Sequence, residues 1–155
     1  MPRITDFFLV DTPAQDTVVI HSKIPEDQIP SFIGESFMKL GEYINQEGLT
    51  GSDCPFLRIS GDGSGYVTVM VGNAVPKSIS GNKEISGYTI PAGRKLFCYY
   101  QGDNSLMAPV YEEMEMYLSE NGYAIDGGIF EYYLNGPEYG MDKLLTKIMV
   151  VLKDK

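Results

Sequence analysis

A chain of 155 residues, 43% hydrophobic and 21% charged, has the length and apolar content to bury a core, which excludes a disordered polypeptide. Its 21 acidic and 12 basic residues leave a net charge of −9, and this argues against direct contact with nucleic acid, which needs clustered Lys and Arg to displace phosphate counterions. No stretch approaches the roughly 20 apolar residues of a membrane span and no signal sequence opens the chain, so a soluble, cytoplasmic protein without a membrane partner is expected.

In chain order, the first expected element is a strand at Thr17–Ser22. Ile33, Phe37, Leu40 and Ile44 then recur at spacings of four, three and four, one face of a helix, and Gly48 supplies its stop. Pro55–Ser60 and Tyr66–Val71 read as a hairpin around Gly61-Asp62-Gly63-Ser64-Gly65. The polar stretch Pro76 to Glu84 reads as a joint. Beyond it come a strand at Lys95–Gln101 and a helix from about Leu106 to Glu120 with Val110, Met114, Tyr117 and Leu118 inward. Gly122 is its stop, and strands follow at Ile129–Leu134 and Leu145–Leu152. Glu112, Glu113, Glu115 and Glu120 form the solvated face of the second helix, and Met107, Met114 and Met116 are expected as core fillers. Cys54 and Cys98 sit in apolar runs, as buried thiols rather than a disulfide pair.

The halves repeat. Thr12 to His21 matches Ile90 to Tyr99 at an offset of 78, with Pro-Ala in register and an apolar run after it, and Leu40 to Gly48 matches Met114 to Gly122 at an offset of 74. The expected fold is therefore α+β: one domain over residues 1–155 made of two β-α-β-β repeats, roughly 1–78 and 79–155. They are expected to be related by a pseudo-twofold axis, with antiparallel sheets, helices on one face and a ligand groove between the halves.

Enzyme motifs such as GxSxG, HExxH and a Walker loop are missing, and the Gly61–Gly65 stretch links two strands with no helix N-terminus after it to hold an anion. With one histidine, His21, no metal site is expected. The informative segment is Gly127 to Pro137. Alternation puts Ile129, Glu131 and Tyr133 on one strand face and Phe130, Tyr132 and Leu134 on the other, the second set being expected under the helices and the first away from them, toward the cleft. At the 74 offset Glu131 corresponds to Leu57, so the acid occupies one half only.

Glu131-Tyr132-Tyr133-Leu134-Asn135-Gly136-Pro137, with Leu144 to Ile148 and a last apolar strand, resembles the C-terminal signature of the GyrI-like small-molecule-binding family. That domain is also the effector-binding part of AraC-type and MerR-type regulators. Ile90-Pro91-Ala92-Gly93 resembles the family's strand entry, whereas Asp103-Asn104-Ser105 replaces its usual Pro-aromatic-Glu. The resemblance implies a stand-alone effector-binding domain with a ligand in the groove over a glutamate that Glu131 matches. Alternation adds Tyr133, Phe97 and Tyr99 as wall residues, His21 as the counterpart of Tyr99, and Tyr88 and Tyr66 at the groove ends. A carboxylate among aromatic rings suits a cationic or polarised apolar ligand, a small hydrophobic or cationic molecule, held for sensing or sequestration without a cofactor. The family's other branches imply two alternatives: a hydrolase of electrophilic cyclopropane-bearing compounds using Glu131 as acid or base, and a protein-interaction module such as a gyrase inhibitor.

Overall fold

A computed structural model describes residues 3–61 and 63–153. Its strands are β1 (Phe8–Thr12), β2 (Gln15–Pro25), β3 (Phe56–Gly61), β4 (Tyr66–Ala74), β5 (Ser86–Ile90), β6 (Gly93–Gln101), β7 (Ile125–Tyr133) and β8 (Leu145–Leu152), with helices α1 (Ile29–Gln46) and α2 (Ala108–Glu120). They fall into two compact units, one of Ala14–Pro91 and one of Met1–Pro13 with Ala92–Lys155. Among the described residues no helix is long and apolar enough to cross a membrane.

In the Ala14–Pro91 unit the antiparallel order is β5-β2-β4-β3. β-Branched Val18, Val19 and Ile20 pack β2 into the core, with Ile20 opposite the buried Val71 of β4. α1 carries Pro30 in its first turn and presses Leu40, Tyr43 and Ile44 inward. It ends as expected: Gly48 takes φ +68°, and the Leu49 N–H reaches back to the Ile44 carbonyl. The hairpin of β3 and β4 forms with Gly63 and Gly65 at positive φ, while Asp62 of the expected turn lies outside the described residues. Pro76 to Glu84 lies within this unit. Its end is an ordered turn in which the Asn82 Oδ1 accepts from the amides of Glu84 and Ile85, each at 2.9 Å.

In the other unit the antiparallel order is β1-β6-β8-β7. Val110, Met114 and Leu118 of α2, with Met107 just before it, bury onto Leu96, Cys98 and Tyr100 of β6 and Ile148, Val150 and Leu152 of β8. α2 starts at Ala108, later than expected, because Asp103 caps a separate 3-10 turn at Asn104–Leu106 by accepting from the Ser105 amide at 2.9 Å. Gly122 closes α2 at φ +72°. Met116 is 62% exposed, so it is no core filler, since it shares the solvent side of the helix with Glu115. Cys98 is buried and Cys54 half-buried, both as free thiols. Glu113 pairs with Arg3 at 2.7 Å, and the Arg3 guanidinium lies 4.3 Å from the Phe7 ring centre, which ties the start of the chain to α2. Lys95 is fully buried, its Nζ donating to Thr12 Oγ1 at 2.8 Å and to the Gly93 carbonyl at 3.1 Å.

The segment between β7 and β8 hangs on Asn135. Its Oδ1 accepts the Leu145 amide at 2.7 Å and its Nδ2 donates to the Lys143 carbonyl at 2.9 Å. Asn135→Ala would leave the part-buried Leu145 N–H unpaired, so unfolding by urea should show a loss of about 1–2 kcal/mol. An unchanged midpoint would refute this role for Asn135.

Candidate functional site

Glu131 stands near the C-terminal end of β7 and pairs with Ile148, which pairs on its other side with Cys98. The flanking rows are Ile129, Val150 and Leu96, and Tyr133, Thr146 and Tyr100. Most of these residues form the cluster under α2. Glu131 and Tyr133 therefore face the helix, which corrects the expectation that their set points away from it. Phe130 and Tyr132 are instead fully buried on the opposite face. Alternation separates two sets of side chains but does not say which one a helix covers, and here both sets are largely apolar.

The helix supplies a residue that the sequence reading missed. Tyr111 of α2 and Tyr133 of β7 both donate their hydroxyls to the Glu131 carboxyl. The spacing Met107, Val110, Tyr111, Met114, Leu118 was the available signal, since it places Tyr111 on the inward stripe. Burial pushes the Glu131 carboxyl above the usual glutamate range, and the two phenol donors pull it partly back. Both phenols are pushed up in turn, first by burial and then by the adjacent carboxylate. Burial also raises the Cys98 thiol to about 11. Among the described residues no basic side chain contributes at Glu131.

The remaining expected site residues lie elsewhere. Phe97 and Tyr99 occupy the face of their sheet opposite Glu131, where the Phe8 ring stacks on both at 5.7 and 6.3 Å between centres. That face has its own cation, with Lys147 Nζ 4.2 Å from the Tyr132 ring centre and 5.9 Å from that of Phe97. His21, Tyr66 and Tyr88 belong to the Ala14–Pro91 unit, on β2, β4 and β5. His21 and Tyr66 are exposed, and Tyr88 lies under the Arg58 guanidinium. His21 also edges a cavity of about 450 Å³ lined by Phe32, Ser36, Lys39 and Glu84. Lys39 and Glu84 pair there at 3.0 Å, so the charges largely cancel and select no ligand class. Among the described residues no three His, Cys, Asp or Glu side chains gather as a metal set.

A raised acid has a definite effect on stability. Between the ordinary glutamate range and the folded value, the native protein holds a proton that the unfolded chain releases, so stability falls as pH rises through that window. Glu131→Gln keeps the shape, and its amide can accept from one phenol and donate to the other. The variant should melt at a higher temperature than the parent near neutral pH, with the gap closing below the ordinary glutamate range. A gap that widens on acidification would contradict the burial of the charge.

The fold recurs in solved structures of low sequence identity. The EcmrR C-terminal domain superposes with a TM-score of 0.74 at 19% identity, over 98% of this chain and 99% of that one. In the EcmrR–DNA complex the score is 0.80 at 18% identity, and 97% of this chain spans 58% of the EcmrR chain. SAV2435 bound to tetraphenylphosphonium scores 0.68 at 14% identity, over 96% and 94%, and a hydrolase from Listeria innocua scores 0.68 at 13%, over 99% and 94%. No curated protein matches the chain. The model of one family, the GyrI-like small molecule binding domain, matches residues 5–153, and the chain belongs to that family.

Proposed function

We propose that the protein binds a small hydrophobic cation over Glu131, in sensing or sequestration. The observation that carries this reading is a buried carboxyl with two phenol donors and, among the described residues, no basic side chain acting on it. A buried carboxylate without a counter-charge is costly, and a cation entering beside it removes that cost while the faces of Tyr111 and Tyr133 attract it. The aromatic face around Phe97 and Tyr132 lacks this incentive, because Lys147 already stands over those rings.

A hydrolytic reading rests on the same group, since a raised carboxyl keeps a proton to give to a leaving group. It ranks second because the buried thiol in the same row of the sheet, Cys98, stays protonated at neutral pH and offers no activated nucleophile. Turnover of an electrophilic cyclopropane-bearing compound that disappears in Glu131→Gln would reverse the ranking.

Tetraphenylphosphonium, the ligand in SAV2435, is a suitable probe. Calorimetric affinity should rise with pH as the Glu131 proton is given up, levelling off above the carboxyl's folded value. Glu131→Gln should weaken binding by about ten- to a hundredfold, the range expected when a charged partner is neutralised in a buried site. Equal affinity in the variant would sink the proposal.

A further inference from the structure

The segment from Arg3 to Phe7 grips α2 at two points one turn apart. Arg3 Nε donates to the Glu113 carboxylate at 2.7 Å, and the Phe7 ring meets the Tyr117 ring at 5.1 Å between centres. Glu113 and Tyr117 are four residues apart, so they share one flank of the helix. The two grips are joined to each other, because the Arg3 guanidinium lies 4.3 Å from the Phe7 ring centre and its Nη1 donates to the Thr5 carbonyl at 2.9 Å. The other side of the segment is fixed to the sheet. The Ile4 amide donates to the Tyr99 carbonyl and the Tyr99 amide to Thr5 Oγ1, each at 3.0 Å, before β1 takes up its regular pairing with β6. Residues 3–7 thus run as a strap from the edge of β6 to the flank of α2.

What the strap holds down is the cover of Glu131. Glu113 stands two residues from Tyr111, whose hydroxyl donates to the Glu131 carboxyl, and the same helix lays Met107, Val110, Met114 and Leu118 over Cys98. All of these residues belong to one compact unit. A carboxyl buried under a helix admits a ligand only while the side chains over it are displaced. The apparent affinity of such a site is its intrinsic affinity multiplied by the fraction of molecules in the open state. A contact that holds the cover shut therefore adds stability and subtracts affinity, whereas a contact that only supports the fold gives no reason for affinity to rise when it is lost.

We propose that Arg3 and Phe7 are positioning residues for the Glu131 site: by strapping α2 to β6 they set how often the helix lifts from the carboxyl, and so what fraction of the protein takes up a cation. The ligand arm of the test rests on the cation reading at Glu131; the thiol arm does not. Both arms use the full chain, and in each the plain charge effect opposes the strap. Glu113→Gln removes a negative charge, which by itself weakens attraction for tetraphenylphosphonium, whereas a loosened α2 should tighten calorimetric binding about two- to fivefold. Glu112→Gln, the same charge change at an exposed position of the helix, should give equal or weaker binding. In a Cys54→Ser background the neutral reagent dithiodipyridine reports access to Cys98 beneath α2. Burial raises that thiol, Arg3 pulls it down and Glu113 pushes it up, so Arg3→Gln by charge alone slows the reaction. A lifted helix should instead speed it about two- to fivefold. Phe7→Leu, which changes no charge, should raise both readouts. Equal or slower labelling in Arg3→Gln would overturn the strap whatever the ligand does. Binding that depends on Glu131 but does not tighten in Glu113→Gln would overturn it too, while binding indifferent to Glu131→Gln would overturn the cation reading alone.

Discussion

Burial of the Glu131 carboxyl beneath α2 is the constraint around which the rest of its unit is arranged. A charged group in an apolar interior needs partners, and this unit answers that need differently for each of three ionisable side chains. Lys95 is received by a threonine hydroxyl and a backbone carbonyl. Lys147 is received by aromatic faces. Glu131 is received by two phenols that stay neutral while burial raises its own affinity for a proton. Hydrogen bonding satisfies the carboxyl oxygens but leaves the negative charge, when present, without its opposite. On the proposed reading, proton and external cation compete for one place, and burial leaves little solvent to screen the charge.

Much of this was legible in the residues. The three- and four-residue spacing of apolar side chains located both helices, and Gly48 and Gly122 closed them because each must adopt the left-handed conformation. The asymmetric acid at position 131 was visible by comparing the halves of the sequence. Its direction was not, because one face of β7 is buried and the other half-buried where Glu131 lies, and neither carries a polar run to mark the exterior. Tyr111 was missed for a related reason: a tyrosine on an inward stripe looks like packing until the strand residue beneath it is known to be a carboxylate.

Strands β1 and β5 were missed for a different reason. Phe8–Thr12 and Ser86–Ile90 are each five residues long and lie at the edges of their units' sheets, paired on one side only. Their partners are far away in sequence, β6 for β1 and β2 for β5. A short edge strand owes its conformation to its partner more than to its own composition, so no local window contains the cause. Lys95 follows the same logic. A lysine in an apolar run looks like a solvated interruption until β1 brings the Thr12 hydroxyl to it.

The row that holds Glu131 can be set beside Leu57, Val71 and Ile20 in the other unit, which pair in the same way across β3, β4 and β2. All three of those residues are buried, and that row is wholly apolar. A packed sheet therefore forms at this position in the Ala14–Pro91 unit without any acid. Replacing a core leucine by a glutamate sacrifices hydrophobic burial and adds the desolvation of a carboxyl, neither of which two phenol hydrogen bonds restore in full. Natural sequences tolerate such local losses chiefly where the group is used, because a residue that only weakens the core has nothing to retain it. The Glu131 carboxyl thus stands without a positive charge acting on it among the described residues, in a chain whose other unit has a core row that folds well without any acid.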